Sequence, residues 1–498
     1  MSVRWLRRGV QLAFLVAFVV LLWRTQWPLP EGAPRQLFLR ADPLAALSAL
    51  LSPTPVLARI FLPALIVLAT GIIFGRFFCG WICPLGTTID ISDHLFFRQR
   101  KQRADLSRPT WKYYLFAATL VAALFGTQLA WLADPLPLLT RTWATVIRPI
   151  ALVLYNGGVI AGQPVLRAVG LRLVPVEAPV FNLSVLTALI FAGILLLGLI
   201  SRRYWCRSLC PLGALLALAC RFGLIRRQVA DTCINCGRCA RDCKMGAIDP
   251  EQPSRTRTAE CILCCDCLDC PPGATHIGPT LAMGDNTAVT SLSRRRALAA
   301  MALGAAYGVL VQITPRRRRY DDKLIRPPGA ILRRRDGSLR RMTEEEFRDL
   351  CVRCGLCMRA CPTSAIQPAG MEAGMDGFFT PVLVPRIGWC EQSCNACGQV
   401  CPTGALNRFD ASEKPNIRVG LATIDQSKCL AWRRGDLYQL CLVCDEHCPY
   451  GAIELREYEG QKRPFVNADV CVGCGQCEHV CPVGPAAAIT ISRRVEGE

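Results

Sequence analysis

Histidine is scarce in this chain, four among 498 residues, and that scarcity narrows the chemistry. Zinc sites favour separated Cys-x-x-Cys or mixed cysteine–histidine pairs, and the chain has little histidine to build them. No Cys-x-x-Cys-His run occurs, so covalent c-type haem has no attachment point. There is no nucleophile–base constellation and no phosphate-cradling glycine loop. Acidic residues are also few, 38 against 58 Lys and Arg, for a net charge of +20. The arginines fall mostly beside apolar segments, so membrane topology rather than nucleic acid accounts for them. Cysteine is what abounds: thirty residues, in tight Cys-x-x-Cys-x-x-Cys runs rather than spread as disulfide partners.

With 52% hydrophobic residues the composition is that of an integral membrane protein. The stretch Ser293–Pro315 divides the chain. Nineteen uncharged residues, Ala297 to Pro315, lie between Arg294-Arg295-Arg296 and Arg316-Arg317-Arg318-Arg319, enough for one tight crossing. Ser-Arg-Arg-Arg-Ala-Leu resembles a twin-arginine export signal, with Ala297 where Phe is usual; an ordinary anchor is the plainer alternative. Four further apolar spans are expected at Gly9–Trp23, Ile60–Gly75, Tyr113–Ala133 and Ala178–Ser201. Arg4, Arg7 and Arg8, then Arg98, Arg100, Lys101, Arg103 and Arg108, then Arg202, Arg203, Arg207, Arg226 and Arg227 mark the inner side.

The membrane half carries a duplication. Arg76-Phe-Phe-Cys79-Gly-Trp-Ile-Cys83-Pro-Leu-Gly matches Arg203-Tyr-Trp-Cys206-Arg-Ser-Leu-Cys210-Pro-Leu-Gly, and Ala41-Asp-Pro-Leu matches Ala133-Asp-Pro-Leu. Each half reads span, outer loop, span, inner CxxxCP, a parallel repeat. Pro149–Leu166 is uncharged too, but a crossing there would put the two CxxxCP copies on opposite faces. Its Asn156-Gly-Gly suits an outer interfacial or re-entrant segment better. Cysteines at i and i+4 lie on one helix face, and the following Pro ends or kinks that segment. Cys79, Cys83, Cys206 and Cys210 are thus candidates for one dithiol relay, metal or cluster site, or for apolar packing alone. Asp42 and Asp134 are candidates for a proton-accepting quinone site, with helix capping as the plainer role.

Two ferredoxin-like blocks follow. In the first, Cys233, Cys236, Cys239 and Cys243 form a regular run, and Cys261, Cys264, Cys267 and Cys270 form one that is a residue short before its last cysteine. Three thiolates of a run hold one 4Fe-4S cube, and the fourth reaches the neighbouring cube. The expected sets are Cys233, Cys236, Cys239 with Cys270, and Cys261, Cys264, Cys267 with Cys243. The short spacing leaves room for a three-iron or missing cluster, and Cys265 is spare. Beyond a basic linker, Thr343-Glu-Glu-Glu346 reads as a capping box. Four runs follow it: Cys351, Cys354, Cys357, Cys361; Cys390, Cys394, Cys397, Cys401; Cys429, Cys441, Cys444, Cys448; and Cys471, Cys474, Cys477, Cys481. The two irregular runs lie between the regular ones. This suggests nested pairing, first with fourth and second with third, with adjacent pairing as the alternative. About six 4Fe-4S clusters are expected in all.

Residues 1–285 resemble the NapH/MauN type of membrane iron–sulfur protein, through the duplicated CxxxCP motifs and the two trailing cysteine runs. Residues 293–498 resemble the NapG/MauM type of exported polyferredoxin. The matching features there are the Arg-rich signal, Arg326-Pro-Pro-Gly-Ala330, Cys351-Val-Arg-Cys-Gly, Cys390-x3-Cys, Cys429-Leu-Ala-Trp432 and Cys471-Val-Gly-Cys-Gly. The resemblance implies electron transfer between the quinol pool and a periplasmic redox enzyme, with the protein as a possible component of a quinol dehydrogenase. An accessory protein that reduces or matures a partner metalloenzyme, or a cluster-bearing scaffold, is the alternative. The expected architecture is an α-helical membrane domain of about five transmembrane helices plus α+β bacterial-type ferredoxin domains. The expected division is 1–228 membrane domain, 229–285 two-cluster ferredoxin, 286–315 signal or anchor helix and 316–498 four-cluster polyferredoxin. The expected location is a bacterial inner membrane, with 229–285 cytoplasmic and 316–498 periplasmic. Expected partners are quinone or quinol, a periplasmic redox protein and the membrane, with no nucleic acid.

Overall fold

The computed structural model describes residues 3–29, 34–54, 58–96, 110–168, 170–270, 273–279, 292–313, 324–334 and 336–494. The basic stretch 98–108 and Arg316–Arg319 lie outside the described residues. The chain gathers into two compact units. The first comprises Met1–Trp23, Pro34–Thr140 and Leu186–Leu310; the second comprises Arg24–Ala33, Arg141–Val185 and Val311–Glu498.

Among the described residues, three helices are long and apolar enough to cross a membrane: Val3–Trp23, Pro135–Val165 and Arg294–Ile313. Leu62–Phe74, Trp111–Leu124 and Ser184–Leu199 are apolar but shorter. Of the five expected spans, the first and last are therefore long helices and the other three are short. Pro149–Leu166 departs from its expected form. The chain continues helically from Pro135–Thr142 through a π turn at Trp143–Ile147 into Arg148–Ala168. Asn156-Gly-Gly does not break it, because the Asn156 side chain is used elsewhere. Its amide donates to the Val176 carbonyl (2.7 Å) and accepts from the Val176 N–H (2.9 Å).

In the first unit, one of the three arginines at the base of Val3–Trp23 turns inward. Arg7 and Gln11 are buried and reach Asp90, with Gln11 also donating to the Gly80 carbonyl at 3.0 Å. Helix Arg294–Ile313 buries Gly304 and Gly308. A Cβ on Gly304 would stand 2.4 Å from the Ala118 carbonyl oxygen, and one on Gly308 would stand 2.5 Å from the Phe125 Cβ. These small residues, four apart, let the helix lie against Trp111–Leu124 at backbone distance. The ferredoxin-like block of this unit is closed by an antiparallel pair, Ile225–Val229 with Thr275–Pro279.

The second unit is built from short antiparallel pairs: Ile331–Arg333 with Leu339–Arg341, Ile366–Pro368 with Pro381–Leu383, Leu421–Ile424 with Ile489–Ser492, and Ile453–Tyr458 with Gln461–Val466. The capping box forms as read. Thr343 Oγ1 accepts from Glu346 N (3.2 Å), and the Glu346 carboxylate accepts from Thr343 N (2.9 Å). Several cysteine runs repeat one local device. Gly237, Gly355 and Gly475 adopt positive φ between the second and third cysteines. Each then launches a one-turn helix: Arg238–Asp242, Leu356–Ala360 and Gln476–Val480. The left-handed residue folds the loop back on itself, which is why glycine stands there.

Candidate metal centres

All thirty cysteines are free thiols. Among the described residues, no group of three or more Cys, His, Asp or Glu closes to the spacing of a single metal ion. The thiols instead surround voids. Cys233, Cys236, Cys239, Cys267 and Cys270 line one of about 390 Å³, part of it open to solvent. Cys351, Cys354, Cys357 and Cys401 line another of about 340 Å³, and Cys429, Cys441, Cys444 and Cys481 a third of about 390 Å³. A four-iron cube needs such a space and all-sulfur donors, whereas a single zinc needs converged ligands. The donor sets fit the cluster.

The remaining sets follow from which thiols face one another. Cys243 lies with Cys261, Cys264 and Cys267. Cys361 lies with Cys390 and Cys394, with Cys397 beside them. Cys448 lies with Cys471, Cys474 and Cys477. The nested pairing is thus corrected to adjacent pairing, first run with second and third with fourth. Helices Leu356–Ala360 and Ala396–Val400 pack together, and so do Val443–Glu446 and Gln476–Val480. That packing sets each run's fourth cysteine beside its immediate neighbour. In the first unit Cys270 lines the void with Cys233, Cys236 and Cys239 despite the short Cys267-x2-Cys270 spacing, and Cys267 stands between that void and Cys261. Cys265 stays outside both sets and donates to the Leu263 carbonyl.

The four sets of the second unit form a single file. Cys357 of the first set faces Cys397 of the second. Cys390 N donates to the Cys474 carbonyl at 2.8 Å, joining the second set to the one around Cys471. Cys477 in turn faces Cys444 of the last set. At the head of the file, a Cβ on Gly355 would meet the Arg141 Cα at 3.3 Å, and Arg141 donates to the Arg353 carbonyl at 3.2 Å.

The CxxxCP motifs are not the helix faces expected. Phe78–Ile82 and Trp205–Leu209 are π turns, and Cys83 and Cys210 leave them near-extended (ψ 115° and 110°). Proline disfavours helical backbone in the residue before it and suits the first position of a helix. Pro84 and Pro211 therefore begin helices, Pro84–Phe96 and Pro211–Ala219, rather than end them. The four thiols lie within electrostatic reach of one another. The two repeats also exchange arginines. Arg203 donates to the Cys79 carbonyl (3.0 Å), the Gly86 carbonyl (3.1 Å) and Asp90, while the Arg76 guanidinium sits 2.8 Å from where a Gly213 Cβ would stand. Arg76, Lys112 and Tyr113 converge on buried Glu260, next to Cys261. These residues were missed by the sequence reading. The available signal was an arginine three positions before the first cysteine of both repeats.

Around this cluster Arg7, Arg76, Lys112, Arg203 and Lys244 pair with Asp90, Glu260 and Asp266, and Asp93 accepts from the Arg203 N–H at 3.0 Å. Arg76 lies within electrostatic reach of Cys79 and Cys210, and Arg203 of Cys206. Burial pushes the Cys206 thiol up to about 11, so as a free group it is protonated at neutral pH. A thiol relay needs thiolate, whereas a metal centre creates it. Both CxxxCP turns dock on the Cys261 set. A Cβ on Gly80 would stand 2.1 Å from the Ile262 carbonyl, and Trp81 Nε1 donates to the Leu263 carbonyl at 3.0 Å. From the other repeat, the Arg207 guanidinium lies 2.3 Å from where a Gly246 Cβ would stand. Cys79 and Cys206 pack against the core of Cys243, Met245 and Ile262.

Asp42 and Asp134, from the duplicated Ala-Asp-Pro-Leu, are fully buried and lie within electrostatic reach of each other. Asp42 also caps helix Pro43–Leu51, Oδ1 accepting from Leu44 N (3.0 Å) and Ala45 N (3.4 Å). Two buried carboxyls so close do not both ionise, because their like charges repel without water to screen them.

These donor sets define an iron–sulfur protein with several 4Fe-4S clusters. Models described as 4Fe-4S binding domain match residues 56–104 and 183–229, which hold the CxxxCP motifs, and residues 346–367; a 4Fe-4S dicluster domain matches 439–485. The chain is 36% identical over 189 residues to the ferredoxin-type protein NapG of Escherichia coli, covering 36% of this chain and 74% of that one. It is 34% identical over 186 residues to the methylamine utilization ferredoxin-type protein MauM of Methylorubrum extorquens, covering 35% and 74%. To MauN of the same organism it is 30% identical over 212 residues, covering 41% and 60%. The chain belongs to the NapG/MauM family of ferredoxin-type electron-transfer proteins, with a relationship to MauN. No solved structure matches it.

Proposed function

We propose that this protein is a membrane-bound electron conduit that takes electrons from quinol and delivers them to a periplasmic redox enzyme. In this reading residues 229–285 lie on the cytoplasmic side and 316–498 on the periplasmic side of a bacterial inner membrane. The observation that carries the proposal is the docking of both CxxxCP turns on the Cys261 set, which joins the repeat domain directly to a cluster site. When bound, 4Fe-4S clusters supply one-electron carriers. The chain's own residues do the rest. The six ferredoxin sets hold the clusters, Gly80 and Trp81 seat the first CxxxCP turn, and the exchanged arginines neutralise thiolate charge. Cys79, Cys83, Cys206 and Cys210 form a seventh centre. A quinol releases protons as well as electrons, and the buried Asp42–Asp134 carboxyl pair is suited to receive them.

Anaerobic iron and sulfide analysis tests the inventory. Six ferredoxin sets hold about 24 irons, and the CxxxCP set raises this to about 28. The Cys79→Ala/Cys206→Ala pair is expected to lower the count by about four and to stop transfer between the two ferredoxin blocks. A count near eight, or stoichiometric zinc, refutes the polyferredoxin reading. An unchanged count with normal transfer in the double variant shows these cysteines to be packing residues.

A further inference from the structure

The file of cluster sites in the second unit has a joint at its middle, where the first pair of sets meets the second. The joint is a built interface. Arg386 donates to the carbonyls of Glu478 (3.1 Å), Cys481 (2.9 Å) and Val483 (3.2 Å), and the Trp389 and His479 rings lie 5.0 Å apart. Gly475, at φ +87°, would meet Pro385 at 2.7 Å with any Cβ. Beside the Cys390-to-Cys474 hydrogen bond stands Tyr450, just after Cys448-Pro449. Its electrostatic neighbours are Glu391 and the thiols of Cys474, Cys390 and Cys448, drawn from both sides of the joint. Its hydroxyl oxygen is buried and has no hydrogen-bond partner in the protein. A buried O–H without a partner carries a desolvation cost, and such groups in native proteins signal a role or an absent partner. Glu391 already accepts from Trp389 Nε1 at 3.2 Å.

We propose that Tyr450 is the positioning residue of this central joint, its hydroxyl donating a hydrogen bond to a cluster sulfur there. The inference rests on the reading of these sets as 4Fe-4S sites. A donated hydrogen bond stabilises the reduced, more negative state and so raises the potential. The bond raises the potential of a cluster at the point where the two halves of the file meet. The glycines and arginine of the joint hold the backbones together; Tyr450 is the side chain that addresses the sulfur itself.

The test uses the full-length protein and Tyr450→Phe, which keeps the ring and removes only the O–H. Iron and sulfide content is expected to match the parent. In an EPR-monitored redox titration, one cluster signal is expected to titrate at lower potential. At fixed poise its reduced-to-oxidised ratio should fall about two- to tenfold, the span of one hydrogen bond. Pulsed ENDOR after exchange into D₂O supplies the second readout: one exchangeable proton coupling present in the parent should be missing from the variant. Fully loaded clusters with unmoved titrations and an unchanged set of exchangeable protons overturn the proposal for Tyr450 alone. Failure of the parent to load four clusters in residues 316–498 overturns the 4Fe-4S reading with it.

Discussion

Asp42 and Asp134 stand in separate repeats, yet their carboxyls meet in a fully buried contact. Capping explains Asp42, which satisfies two orphan N–H groups of helix Pro43–Leu51. It does not explain why a second fully buried carboxyl, Asp134, stands against Asp42. A proton-accepting pair does. Asp134→Asn keeps the shape but removes one titratable site. Stopped-flow reduction of the clusters by a quinol should then slow by about 10²-fold or more, the usual worth of a general base. Reduction by dithionite, which needs no proton acceptor, should keep its rate. Equal quinol rates in parent and variant would reduce the pair to a capping device.

At this scale the sequence was legible wherever spacing is local. The thiolates of a Cys-x2-Cys-x2-Cys loop must wrap one cube, so the spacing itself names most ligands. The fourth ligand was not legible in the C-terminal block. Whether Cys361 serves the run beside it or one further on depends on helix packing, Leu356–Ala360 against Ala396–Val400, which no local pattern encodes. The arginines of the repeats were visible as letters, but their exchange between repeats was not, since it is a property of two halves folded together.

Among elements, helix Arg294–Ile313 reads in sequence as an export signal or an anchor, and the two readings differ over whether it stays. The structure seats it through Gly304 and Gly308 against Ala118 and Phe125. Leu303, by contrast, is 70% exposed on the same helix. Gly304→Leu should force the helix off its neighbour and cost about 1–3 kcal/mol, the range for overpacking. Leu303→Ala should change stability by about 0.5 kcal/mol or less. Thermal unfolding in detergent, with either residue replaced, separates the two. Equal melting temperatures would show the glycines to be incidental. The CxxxCP segments make the complementary point about legibility. An i, i+4 pair suggests one continuous helix face, but Pro84 and Pro211 force the preceding cysteine out of the helix. The outcome is a π turn followed by a new helix, a form often found at functional sites.

For the whole molecule, the proposed topology carries its own test. Arg294 and Arg295 replaced together by lysine should leave residues 316–498 inside the cell, protected from added protease in spheroplasts, while the parent's outer block is cut. Residues 229–285 should be protected in both. An outer block already protected in the parent would refute the topology, and equal cleavage in parent and variant would rule out the twin-arginine route alone.

The exchanged fourth cysteines reach beyond ligation. Cys401 completes the set begun at Cys351, and Cys361 completes the one begun at Cys390. Each bond of this kind closes a loop across its neighbour's loop, like the crossing of a laced seam. A seam laced this way does not open one eyelet at a time. Loss of one cube frees a thiol belonging to the chain segment that holds the other, so damage by oxygen at one site weakens its twin before spreading further. The same lacing repeats between Cys481 and Cys448. Repair and assembly are therefore matters of pairs, and the smallest unit the protein gains or loses is a double one.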